Sequence, residues 1–337
     1  MSEKQVLAVD YGASGGRVML GGFDGASFTI SELHRFPNDP VKLGDTMYWD
    51  VLRLYFEMKQ GIVKSKAHGA ISGIGVDTWG VDFGLLDREG RLLDNPVHYR
   101  DGRTAGMMEK TLKMVGRDPL YELTGNQLME INTLFQLMAV KERRPELLER
   151  ADALLLMPDL FQYFLSGEKI SEKSIASTTQ MMDLRQGKWA FGLLETLGLQ
   201  AGMMRDILPG AVRTGSLRPE IRKELGVPAM EVIAVAGHDT QSAMAAIPAR
   251  EEDFLFISCG TWGLFGTELT EPVISEMSKK FNITNEAGLE GKYAFLKNII
   301  GLWLIQESRR QWIREGKEYG FGELETCLLY TSPSPRD

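Results

Sequence analysis

Only two cysteines, Cys259 and Cys327, occur in 337 residues, and neither sits in a metal-ligating spacing. A disulfide framework is therefore excluded, and a reducing, cytoplasmic setting is expected. Histidine is nearly as scarce. His34, His68, His98 and His238 lie far apart with no H-x-x-x-H pair, which makes a zinc site a poor reading. No stretch reaches the ~18–20 uninterrupted apolar residues of a membrane span. The N-terminal Met-Ser-Glu-Lys-Gln lacks the basic-then-apolar order of a signal peptide. Basic runs are missing too. With 38 Lys and Arg against 46 Asp and Glu the formal net charge is −8, so neither nucleic acid nor a membrane surface is an expected partner. Two nucleotide signatures are also absent: no Gly-x-Gly-x-x-Gly opens a helix, and no Gly-x-x-x-x-Gly-Lys-Ser/Thr occurs. A dinucleotide-binding fold and a P-loop are thereby excluded.

What is present is a chain long enough for two domains, 43% hydrophobic and with room for a sizeable core. Gln5–Asp10, Arg17–Gly22 and Phe28–Arg35 read as strands joined by Gly-rich turns, hence as antiparallel hairpins. A helix is predicted over Val51–Lys66, with Val51, Leu54, Tyr55, Met58 and Ile62 on one face and Asp50 as its N-cap. Ile71–Asp77 and Val81–Leu86 read as buried strands, and the middle of the chain as mostly helical. One helix there starts at Pro158-Asp159 and ends at Gly167. Val232–Ala236 returns to a strand, with a helix of small residues from about Thr240. After Pro248, Phe254–Ser258 and Leu264–Glu268 flank a second tight turn and repeat the opening hairpin. The domain boundary is expected near Ala245–Arg250, giving domains of residues 1–245 and 246–325. The last dozen residues, Thr326–Asp337 with their Ser-Pro-Ser-Pro, break the pattern. They are expected to be a non-native tail, the natural chain continuing differently past Glu325.

Three segments carry chemistry. In Asp10-Tyr-Gly-Ala-Ser-Gly-Gly-Arg17, free N–H groups on a Gly-rich hairpin can cradle phosphate, Arg17 can add charge, and Asp10 can hold Mg²⁺ through its water shell. Alone it reads equally well as an ordinary hairpin, but Ser258-Cys-Gly-Thr-Trp-Gly263 supplies a second copy. In Gly75–Gly84, Asp77 and Trp79 interrupt a buried β pattern, as a carboxylate and an apolar platform for a polyol would; a capped bend with a core Trp is the alternative. Ala236-Gly-His-Asp-Thr-Gln241 places an acid where a buried strand opens into solvent. There Asp239 can accept a hydroxyl proton and His238 can donate to a substrate oxygen, although Asp239 can also simply cap the next helix. Asn298, in Lys297-Asn-Ile-Ile-Gly-Leu-Trp303, reads as a ligand contact or as an ordinary loop residue.

Together these segments, with Val76-Asp-Thr-Trp-Gly-Val-Asp-Phe83, resemble the FGGY family of carbohydrate kinases over essentially all of residues 5–325. The resemblance implies an α/β, actin-like ATPase architecture of two ribonuclease H-like domains closing on a cleft. It implies ATP and Mg²⁺ as cofactors and a small ketose as substrate, L-rhamnulose phosphorylated at O1, with L-fuculose or xylulose as alternatives. Carried over, Asp239 looks like the general base. Gly80 (through its backbone), His238, Thr240 and Asn298 look like substrate contacts. Ala13, Ser14, Gly15, Gly16, Arg17, Thr261 and Gln306 are similar to nucleotide-site positions, and Asp10 to the metal site. In this family the adenine-binding part of the second domain lies beyond the equivalent of Glu325. An incomplete second domain is therefore expected, with apolar surface uncovered along 248–325 and a catalytically dead, sugar-binding chain as a further alternative.

Overall fold

Alternation along the first segments puts Leu7, Val9, Val18 and Leu20 on one buried face, and the chain extends there as paired strands. In the computed structural model, which describes residues 4–251 and 253–331, β1 (Lys4–Gly12), β2 (Gly15–Phe23) and β3 (Phe28–Pro37) form an antiparallel meander. Helix α1 (Val51–Lys64) follows, capped as predicted: Asp50 Oδ1 accepts the Arg53 N–H at 3.0 Å. Its Val51, Leu54, Met58 and Ile62 face is buried against the sheet. Next, β4 (Ile71–Thr78) lies parallel to β1 and sets Asp77 beside Asp10 in register.

The chain then turns sharply before β5 (Phe83–Leu86). Here the expected strand start at Val81 is corrected. Val81 has a φ of 68°, in the left-handed region that a β-branched residue rarely enters. Tertiary bonds hold it there: its carbonyl accepts from Thr133 Oγ1 at 2.6 Å and Gln136 Nε2 at 3.3 Å.

The middle of the chain is mainly helical and includes α2 (Thr133–Arg143), which carries both of those donors. A short strand, β6 (Ala153–Leu156), pairs with β5 and runs into α3 (Met157–Ser166), which ends at Gly167 with φ 87°. Tyr11 ties α1 and α3 to the sheet. Its ring stacks on Phe161 at 4.4 Å, and its hydroxyl donates to the Leu54 carbonyl at 2.8 Å. A single helical turn, α4 (Lys173–Ala176), precedes β7 (Val212–Ser216), β8 (Glu231–Ala234) and α5 (Asp239–Ala245). The first sheet has the order β7-β8-β4-β1-β2-β3, with β8 parallel to β4.

A second, antiparallel sheet follows in the order β9-β10-β12-β11, built from β9 (Phe256–Cys259), β10 (Trp262–Leu269), β11 (Thr284–Ala287) and β12 (Tyr293–Ile300). One face packs Phe256, Leu264, Ala294 and Leu296 onto Met244 of α5. The other leaves Ile257, Phe265 and Ile299 exposed, apolar surface of the kind expected for 248–325. Helices α6 (Trp303–Arg314) and α7 (Phe321–Thr331) complete the described chain. Thus α7 runs on through Thr326, while the Ser-Pro-Ser-Pro part of the expected tail lies outside the described residues. Among the described residues no helix is long and apolar enough to cross a membrane.

Candidate active site

Between the two sheets lies a cavity of about 850 Å³, lined by both Gly-rich hairpins and by the His238-Asp239-Thr240 segment. Of the residues predicted from sequence, Asp10, Ala13–Arg17, Gly80, His238, Asp239, Thr240, Thr261 and Asn298 all line it. Gln306 does not. It stands one step behind, accepting a hydrogen bond from Thr261 Oγ1 at 3.2 Å.

The first hairpin turns in two residues, Ala13 and Ser14, because Gly12 pairs with Gly15 across β1 and β2. Gly16 is required by crowding: a Cβ there would lie 2.4 Å from the Phe36 ring. Arg17 Nε sits 3.1 Å from Asp10 Oδ2. The second hairpin has Gly260 and Thr261 at its turn, braced by α6: the Trp303 N–H donates to the Thr261 carbonyl at 3.1 Å.

The acid follows from how β8 ends. The Thr78 N–H donates to the Gly237 carbonyl at 2.9 Å, carrying Gly237-His238 alongside β4 to the cavity. Glu172 Oε2 accepts the Gly237 N–H at 2.9 Å, and Ser174 Oγ accepts that of His238 at 3.2 Å. Asp239 opens α5, where its Oδ1 accepts the Thr240 N–H at 2.6 Å. The helix-capping role anticipated for it is not filled: His238 is the N-cap, and no side chain caps the helix. Oδ2 has no partner among the described residues.

Charge is concentrated here. Burial, then the neighbouring Asp10 and Asp239, push Asp77 well above the usual carboxylate range. Burial also raises Asp239, against the pull of His238, and Asp10, against Arg17 and Arg35. His238 Nδ1 lies 2.9 Å from Glu286 Oε2, an ion-pair distance off the line of a good hydrogen bond, and Nε2 lies 3.5 Å from Asp239 Oδ1. Burial alone would lower the His238 pKa. Glu286, helped by Asp239 and Glu172, instead lifts it to about 9, so the ring is charged at neutral pH.

That has a consequence for stability. A histidine whose pKa rises on folding stabilises fully below its ordinary value near 6.5, and the gain is lost as pH climbs through 9. The stake is on the order of 3 kcal/mol. Urea denaturation between pH 6 and 9.5 should show this loss in the native chain and a much flatter dependence in Glu286→Gln.

Behind the cavity wall, Asp82 organises an aromatic platform. Its Oδ2 accepts the indole N–H of Trp49 at 2.6 Å and of Trp79 at 3.0 Å, and its Oδ1 accepts from Gln136 Nε2 at 2.9 Å. Burial raises its pKa to about 6 against these donors. Trp79 and Trp49 lie 4.0 Å apart, and Trp49 stacks on His98 at 4.2 Å.

Sequence reasoning missed Glu286, Gln127 and Glu172. All four residues of β11 are buried, yet Thr-Asn-Glu-Ala carries no apolar pattern to announce a strand. It is held by polar bonds instead. The Asn285 N–H donates to the Gly125 carbonyl at 2.9 Å, Asn126 Nδ2 to the Asn285 carbonyl at 3.0 Å, and the Ala287 N–H to Ser177 Oγ at 2.9 Å. Gln127 Oε1 accepts the Asn298 N–H at 3.0 Å, which fixes that residue on the opposite wall.

The cavity can accept a polyhydroxylated ligand beside a base, with phosphate at the hairpins. Comparison with known proteins points the same way. Residues 5–246 match the family model described as "FGGY family of carbohydrate kinases, N-terminal domain", and residues 255–335 that of its C-terminal domain. A rhamnulokinase of Oceanobacillus iheyensis is 43% identical over 90% of this chain and 64% of its own length. One of Bacteroides thetaiotaomicron is 42% identical over 98% of this chain and 68% of its own. The chain thus spans about two thirds of the length of these curated relatives. Among solved structures, a gluconate kinase from Lactobacillus acidophilus superposes with a TM-score of 0.79 at 17% identity, over 91% of this chain and 62% of that one. A Plasmodium falciparum glycerol kinase with ADP gives 0.73 at 16% identity, over 90% and 64%. At such identities the likeness concerns the fold alone.

Proposed function

Because the chain belongs to the FGGY family of carbohydrate kinases, with that family's actin-like fold, we propose that it transfers the γ-phosphate of ATP to O1 of L-rhamnulose. The choice of sugar is supported by five rhamnulokinases, 38–43% identical to it. The observation that carries the reading is Asp239, whose uncommitted oxygen stands in a cavity between two phosphate-type hairpins.

In this reading the sugar's carbons lie on the Trp79 platform, and its hydroxyls meet the Gly80 backbone, Thr240 and Asn298. The charged His238 donates to a sugar oxygen. Asp239 accepts the proton of the attacking hydroxyl as its oxygen bonds to phosphorus and the bond to ADP breaks. The hairpin residues Ala13–Arg17 and Thr261, with Gln306 behind, hold the phosphates.

Mg²⁺ fits the residues present. Asp10, Asp77 and Asp239 repel one another, a field that a divalent cation relieves. Among the described residues no three acidic, His or Cys side chains could ligate an ion unaided. Asp10 would therefore hold Mg²⁺ through water, with phosphate oxygens completing the shell, as this ion prefers. When bound, the ion neutralises charge on the transferred phosphate. A reaction that consumes ATP, in a chain with two cysteines in 337 residues, suits the cytoplasm.

A coupled ADP-release assay across L-rhamnulose, L-fuculose and xylulose tests the substrate, with L-rhamnulose expected to give the highest kcat/KM. Robust turnover of xylulose with none of L-rhamnulose would reject it. Gly80 offers a finer check. A Cβ there would lie 3.3 Å from His238 Nε2 and 3.5 Å from Thr178 Oγ1, in the space given to the sugar. Gly80→Ala should raise KM for L-rhamnulose about tenfold while leaving KM for ATP unchanged.

A further inference from the structure

A second cavity, of about 480 Å³, shares no lining residue with the first. Its floor is apolar, formed by Phe83, Leu85, Val140 and Leu147. Its charged residues divide into those already committed and those not. Asp101 accepts the N–H groups of Met47 and Arg103 at 2.8 and 2.9 Å, and Asp94 pairs with Arg144 at 3.4 Å. Arg103 and Arg143 are less satisfied. Arg103 Nη2 donates to Gln136 Oε1 at 2.6 Å, but its Nε is buried with no partner. Arg143, the exposed last residue of α2, has no ion pair among the described residues. A buried guanidinium N–H without an acceptor is costly, and two under-neutralised arginines beside an apolar floor favour a ligand with one acidic end.

We propose that this cavity binds a small monocarboxylate with an apolar body, the carboxylate on Arg103 and Arg143 and the body on the Phe83–Leu147 floor. Asp45, also on its wall and without a partner among the described residues, selects against a second negative charge and so against a phosphate monoester. The site reaches the large cavity through a short path. Gln136, held by Arg103, donates in turn to Asp82 Oδ1 and to the Val81 carbonyl, and Asp82 orients Trp79. An acid seated on Arg103 therefore pulls on the same hydrogen-bonded group that sets the platform. The site stands on its own residues and does not depend on which sugar, if any, is phosphorylated.

Calorimetric titration of the chain with benzoate, phenyl phosphate and benzyl alcohol tests it. Benzoate should bind one to one, and the other two at least about tenfold more weakly, the loss expected for a missing or mismatched charge-assisted contact. Leu147→Trp, which fills the floor, should abolish benzoate binding. Arg143→Gln, at an exposed position where folding is not at risk, should weaken it about tenfold. Absence of one-to-one benzoate binding, equal binding of phenyl phosphate, or binding untouched by Arg143→Gln would overturn the proposal.

Discussion

Replacing Asp239 by Asn should lower kcat for L-rhamnulose by about a thousandfold, the scale of a lost general base, while leaving sugar affinity nearly unchanged. The amide keeps the shape and still accepts the Thr240 N–H through Oδ1, so the start of α5 and the position of His238 persist. What is lost is the second oxygen's capacity to take a proton. Burial already raises the Asp239 pKa, which brings this acid closer to a working base than an exposed aspartate is. Steady-state kinetics paired with calorimetry of L-rhamnulose separates the two effects. A variant that keeps most of its turnover removes Asp239 from that role, and one that no longer binds sugar shows the damage to be structural.

The largest effect on stability is expected at Asp82. Asp82→Ala strands the indole N–H groups of Trp49 and Trp79 and the backbone N–H of Tyr99 inside the protein. At about 1–3 kcal/mol for each unsatisfied donor, partly relieved by relaxation, the cost should be about 3–5 kcal/mol in urea denaturation. Asp82→Asn keeps an acceptor and should lose less than half of that. A loss below about 1 kcal/mol for the alanine variant would mean that the platform does not depend on this carboxylate.

Much of this arrangement is legible in the sequence where chemistry is local. The two hairpins follow from glycines flanking short turns, and the Gly237-His238-Asp239 corner from a buried strand ending in an ionisable pair. What escaped was set by distant partners. The strand pattern at Val81 is overridden by Thr133, 52 residues on. Glu286 reaches His238 from a strand whose four residues have no apolar signature and which is held by polar bonds to Gly125 and Asn126. Gln306, expected among the nucleotide contacts, stands behind Thr261 and accepts a hydrogen bond from its hydroxyl, a relation that spacing alone does not encode. The second cavity, too, is assembled from segments far apart in the chain, so neither arginine stands out before folding joins them.

The central claim is that phosphate passes from ATP to a sugar hydroxyl held against Asp239. Phosphorus NMR of a reaction containing ATP, Mg²⁺ and L-rhamnulose tests it most directly. The account predicts one new phosphomonoester signal, coupled to the C1 methylene protons, growing as ADP forms and absent when sugar is omitted or Asp239 is Asn. Release of inorganic phosphate alone, or a phosphoester on a hydroxyl other than O1, would contradict it.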